Sequence, residues 1–114
     1  MIRTSGRYHV VLVTCPSIPE ARRIARSVVE KKLAACANIV TGVESIFRWK
    51  GKVERAREVL VTMKTSAGRL RKLEREVRRM HSYDVPEFVV VPIVAGSREY
   101  LEWLAWSTSL ADKS

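Results

Sequence analysis

The 114-residue chain carries 21 Lys and Arg against 12 Asp and Glu, a formal charge of +9, and 46% of its positions are hydrophobic. That length builds one domain, residues 1–114, around one core, and the composition excludes a disordered chain. The longest apolar run, Phe88 to Ala95, falls far short of the roughly 20 residues that cross a bilayer, so no membrane partner is expected.

The opening stretch, MIRTSGRYH, has one aliphatic side chain after the initiator and no secretory pattern, which predicts a cytoplasmic protein. Cys15 and Cys36 show neither CxxC nor zinc-finger spacing, so both are expected as reduced, small apolar side chains. The positive charge invites a nucleic-acid reading. However, 14 of the 21 basic residues are Arg, 10 of the 12 acids are Glu, and Gln is absent. That bias also marks the ion-paired surfaces of thermostable proteins, and high thermal stability is expected.

Tyr8 to Thr14 is a β-branched run, read as a central strand buried on both faces. Ser17 and Glu20 form a capping box for the first helix, with Pro19 tolerated in its first turn. Ala21, Ile24, Ala25, Val28, Val29 and Leu33 recur at helical spacing and should pack on a sheet, with Arg22, Arg23, Arg26 and Glu30 facing outward.

Small residues from Ala34 to Ala37 lead into a strand over Ile39 to Trp49, interrupted at Gly42 by a bulge or bend. Lys50-Gly51 is a turn with Gly51 alone in the left-handed region, or with a Gly51 bulge, since a type I′ turn would also force positive φ on Lys50. Val53 to Thr65 returns, with Val59, Leu60, Val61 and Met63 forming a buried root. At about 3.3 Å per residue the outgoing strand spans roughly 36 Å, long beside a radius of gyration of about 13 Å for a chain of this size. Phe47 and Trp49 at its tip are exposed aromatics on an unpaired edge. Either a neighbouring subunit covers them or they fold back onto the chain's own core, and the hairpin's length favours the subunit.

Thr65 or Ser66 caps a second helix with the apolar stripe Leu70, Leu73, Val77 and Met80. Arg69, Arg71, Lys72, Arg75, Arg78 and Arg79 cover the remainder, with Glu74 and Glu76 among them. This is the best basic face for a polyanion, yet no aromatic side chains interleave to stack on bases, so no specific nucleic acid is expected. A connection over His81 to Glu87 leads to a strand from Phe88 to Val94, where Pro92 implies a sheet edge or a bulge. Ser97 caps a last helix whose Tyr100, Leu101, Trp103, Leu104 and Trp106 wrap much of its circumference, so Trp103 joins the predicted subunit interface. The order β-α-β-β-α-β plus a helix predicts an α+β, ferredoxin-like sandwich with a long central hairpin.

No phosphate loop, nucleophile elbow or paired histidines are present, so no enzymatic turnover is expected. His81, Tyr83, Asp84 and Glu87 share one connection, with Cys36 and Glu58 joining if the fold brings them near. Imidazole, thiolate and carboxylate are ligands for divalent cations, so His81, Cys36 and Asp84 are candidate metal ligands. Tyr83, Glu87 and Glu58 are candidates for a ligand cleft. The alternative is that His81 and Tyr83 are satisfied groups that only fix the connection.

VTCPS at 13–17, ARRIAR at 21–26, VEKKLAACANIV at 29–40, SIFRWKGKVE at 45–54, EVLVTMKT at 58–65 and HSYDVPEFVVVPIVAGSREYLEWL at 81–104 together resemble the CutA family, associated with divalent-cation tolerance. The resemblance implies a tight homotrimer joined through long strands, with the architecture of the PII signalling proteins. The family commonly has His-Pro-Tyr-Glu where this chain has His81-Ser82-Tyr83-Asp84. Where some members offer a cysteine and a second histidine as copper ligands, this chain has Val13 and Met80, so His81 alone remains of that set. Three functions follow: a trimer that weakly binds a divalent cation, Cu²⁺ best; a PII-like module taking a small ligand or protein between subunits; and a basic nucleic-acid binder. No cofactor is required for any of them.

Overall fold

The computed structural model describes the backbone of residues 2–4 and all of residues 6–109. Its elements in chain order are β1 (Ile2–Thr4), β2 (Tyr8–Cys15), α1 (Ile18–Glu30), β3 (Cys36–Trp49), β4 (Lys52–Ser66), α2 (Leu70–Met80), β5 (Val89–Pro92), β6 (Ala95–Ser97) and α3 (Arg98–Ser107). A four-stranded antiparallel sheet runs β3-β4-β2-β5, and β1 pairs with β6 in a separate ribbon. This is the ferredoxin-like sandwich with an added helix. The ribbon lay outside the sequence expectation, because two three-residue strands carry too little pattern to see. It also shortens the predicted Phe88–Val94 strand. After Pro92 the chain bonds once more, Ile93 N–H to the Tyr8 carbonyl at 2.9 Å, and then leaves the sheet for β6.

The main core joins Val11, Val13 and Cys15 of β2 with Val59, Val61 and Met63 of β4, under Ile24 and Val28 of α1 and Leu73 and Val77 of α2. These strand positions differ by twos, so they share one face. Val10, Leu12 and Thr14, pointing the other way, are only half-buried. The expectation that β2 is buried on both faces is therefore corrected: α1 and α2 cover one face of this sheet. Toward its start, Tyr8 joins Ala35, Leu101 and Leu104 in a smaller cluster under α3.

The hairpin sets the shape. Its two strands reach 14 and 15 residues, and the molecule measures 45 × 28 × 22 Å with a radius of gyration of 15.0 Å. The register jumps between Val40 and Val43, with Gly42 at φ +77°, so of the expected bulge or bend it is a bulge that sits there. At the tip both Lys50 (φ 51°) and Gly51 (φ 80°) are left-handed, correcting the expectation for Gly51 alone. Trp49 pairs directly with Lys52, and a two-residue connection between twisted strands demands the primed turn. The Lys50 ammonium sits 5.9 Å over the Trp49 ring, which offsets part of the strain.

Three local expectations change. The Ser17 hydroxyl accepts the Glu20 amide at 3.3 Å, but the Glu20 carboxylate reaches Ser82 instead of closing a capping box. Neither Thr65 nor Ser66 caps α2: Thr65 donates to the Leu33 carbonyl at 2.7 Å and Ser66 bonds the Thr108 hydroxyl at 2.9 Å. A 3₁₀ turn over Ala67–Arg69 opens α2 in their place. Arg69, expected on the exposed basic face, is buried and donates to the carbonyls of Lys31 and Lys32 at the C-terminal end of α1. Lys32 there holds φ 59° while Leu33 N–H bonds the Val28 carbonyl, a Schellman ending built without glycine.

Candidate metal centre

Three elements end at one place. Cys15 closes β2, Glu20 lies in the first turn of α1 and His81 caps the C-terminus of α2. Each of the three offers a ligand atom, and these atoms lie within 4.8 Å of one another, all from buried residues. Pro16 and Ser17 make the turn from strand to helix, so Cys15 and Glu20 come together through local chain geometry. His81 joins them because Leu73 and Val77 dock α2 on the same core.

The His81 ring is fully buried. Its Nδ1 lies 3.1 Å from the Tyr83 amide, and its Nε2 lies 2.7 Å from the Thr14 carbonyl. An amide can only donate and a carbonyl can only accept, so Nε2 carries the hydrogen and Nδ1 presents a lone pair. Glu20 Oε2 stands 3.4 Å from that lone pair and accepts from the Ser82 amide at 3.1 Å and the Ser82 hydroxyl at 3.2 Å. Burial, with Glu20 and then Glu58 nearby, pushes the Cys15 thiol up to about 11. Around it, the Tyr83 ring lies tilted at 47° against the His81 ring, centroids 4.8 Å apart, and donates its hydroxyl to Glu58 at 2.9 Å. Burial first, then that bond to Glu58, pushes the Tyr83 phenol up to about 12.

Of the residues singled out in the sequence, His81, Tyr83 and Glu58 are brought together. Cys36 is not. It pairs with Lys64 on β4 whereas Cys15 pairs with Val59, a separation of five strand residues or roughly 17 Å. Cys36 instead lies 3.7 Å from the Tyr100 hydroxyl. Asp84 lines a groove of about 280 Å³ with Glu74, Val77, Arg78, Val85, Pro86 and Phe88, and Glu87 is exposed and makes none of these contacts. Val13 is buried in the core and Met80 packs against it. Cys15 and Glu20 were missed as candidate ligands because one read as a core thiol and the other as a capping residue. The available signal was their position, a strand's last residue and the next helix's first turn. Phe47, Trp49 and Trp103 are 42, 51 and 42% exposed in the single chain.

A ferredoxin-like α+β chain with a projecting hairpin and a buried thiol, carboxylate and imidazole is the class that these features define. The family model described as CutA1 divalent ion tolerance protein matches residues 9–107. The chain belongs to that family. It is 50% identical over 99 residues to the divalent-cation tolerance protein CutA of Thermus thermophilus, covering 87% of this chain and 96% of that protein. It is 48% identical over 99 residues to the chloroplastic protein CutA of Arabidopsis thaliana; that match covers 87% of this chain but 54% of the plant protein, so the chain spans about half its length. The solved structure of CutA from Synechococcus elongatus superposes with a TM-score of 0.91 at 31% identity, over 96% of each chain.

Proposed function

We propose that this protein binds a divalent cation at Cys15, Glu20 and His81, one site per chain, as a homotrimer and without catalytic turnover. The convergence of three buried ligand atoms within 4.8 Å carries the reading. One sulfur, one nitrogen and one oxygen suit borderline ions such as Cu²⁺ and Zn²⁺, whereas Mg²⁺ and Ca²⁺ prefer oxygen alone. Ligands on a tetrahedral cation with bonds of about 2.0–2.3 Å lie roughly 3.5 Å apart. Nδ1 and Oε2, at 3.4 Å, already have that spacing, and the Cys15 sulfur belongs to the same cluster within 4.8 Å. Because the cluster is buried, what enters must be ion-sized, which favours binding over conversion of an organic substrate.

The trimer is supported by the hairpin's reach and by the exposed Phe47, Trp49 and Trp103, which a monomer would leave in water. A cytoplasmic setting is part of the proposal; no helix among the described residues is long and apolar enough to cross a membrane. A ligand cleft at Tyr83, Glu58 and Glu87 has weaker support, since Tyr83 and Glu58 already satisfy each other.

Calorimetric titration of Cu²⁺, Zn²⁺ and Mg²⁺ into wild type, Cys15→Ser and Glu20→Gln tests the site. Binding of Cu²⁺ tighter than Zn²⁺, with Mg²⁺ silent and both variants at least tenfold weaker, is expected. Equal affinities in folded variants would remove the cluster as the site.

A further inference from the structure

The nitrogen that faces Glu20 is already occupied. His81 Nδ1 has one lone pair, and the Tyr83 amide takes it at 3.1 Å. Both lone pairs of Glu20 Oε2 are likewise spent on Ser82, on its amide and on its hydroxyl. Two consecutive residues thus close over the cluster by donating into two of its ligand groups.

Glu20 has a second oxygen to offer a cation, but the imidazole has no such reserve. A neutral ring ligating through Nδ1 gives up the Tyr83 amide outright. Ligation through Nε2 removes the hydrogen that serves the Thr14 carbonyl at 2.7 Å and moves it to Nδ1, where it meets the Tyr83 N–H head-on. Either nitrogen leads to the same loss.

We infer that a cation ligated by His81 displaces the Tyr83 amide, so that ion entry frees Tyr83 while Ser82 keeps its bonds to Glu20. The inference rests on the cation site proposed above. The release has a route outward. Tyr83 packs its ring, tilted, against the ligand ring at 4.8 Å and holds Glu58 through its hydroxyl at 2.9 Å. Glu58 pairs with Val43, the first residue past the bulge where the hairpin leaves the sheet. Ion occupancy is thereby reported at the root of the arm that carries Phe47 and Trp49.

The test is amide exchange at Tyr83, read by nuclear magnetic resonance in the full-length protein with and without saturating Zn²⁺. Calorimetry on the same samples establishes binding. Zn²⁺ should raise exchange at Tyr83 at least tenfold and leave the Val77 amide in α2 unchanged. Zn²⁺ bound with Tyr83 protection equal or greater would overturn this inference and leave the site standing. No Zn²⁺ binding at all would overturn both. A second arm uses Tyr83→Phe, which keeps the amide but loses the bond to Glu58 and alters a side chain that is already 38% exposed. With the closed segment less firmly held, Zn²⁺ should bind about fivefold tighter. Unchanged or weaker binding would overturn the link to Glu58.

Discussion

Glu76 and Ser27, 49 residues apart in sequence, meet at 2.6 Å and join α2 to α1. The same carboxylate oxygen receives Lys31 at 2.8 Å and Arg79 at 2.7 Å. Bonds from Arg79, then Lys31, then Ser27 hold its pKa down at about 2, against an ordinary 4.5. The side chain is only 9% exposed, so little water competes for these donors.

Glu76→Gln should therefore destabilise the fold by about 2 kcal/mol at neutral pH, the scale of hydrogen bonds to a charged group. A carboxylate whose folded pKa is depressed contributes stability above its unfolded pKa and loses it as pH falls toward the folded one. The wild-type advantage over Glu76→Gln should be full above about pH 5 and shrink steadily between pH 4.5 and 2. Urea midpoints of both proteins across that range check the sign and the window.

The hairpin prediction concerns assembly. Light scattering should give wild type a mass three times the 13.0 kDa of the chain. Trp49→Arg places a charge where the interface is proposed and should shift the protein toward smaller species at micromolar concentration. A wild-type mass of one chain would remove the trimer from the account.

Lys50→Asn should raise stability. Lys50 holds φ 51° in a turn that Asn-Gly fills with less strain. A gain of about 0.5 kcal/mol remains after losing the contact over Trp49, worth roughly 0.5–1 kcal/mol at an exposed site. A thermal midpoint higher by about 2–4 °C is the expected reading; a lower one would mean that the cation–π contact outweighs the backbone strain.

How far the sequence carried the fold depended on pattern length. The interruption at Gly42, the cap at Ser97 and the restriction of Pro92 to an edge or a bulge were all legible, because each rests on a local backbone rule. The β1–β6 ribbon was not, since three residues give no periodicity. The turn at Lys50-Gly51 failed for another reason: the strand twist outweighed the preference of one residue. At the site, His81 was visible as a lone imidazole in a polar connection. Its partners Cys15 and Glu20 come from elements 60 residues and more away in sequence, and a buried thiol beside a capping glutamate looks like packing until the docking of α2 is known.

The most direct measurement is a crystal soaked in Zn²⁺, with diffraction data collected on both sides of the zinc absorption edge. One strong anomalous peak per chain is expected within bonding distance of Cys15 Sγ, a Glu20 carboxylate oxygen and a ring nitrogen of His81. Peaks confined to surface carboxylates such as Asp84 or Glu87, with the His81 bonds to Thr14 and Tyr83 intact, would contradict it.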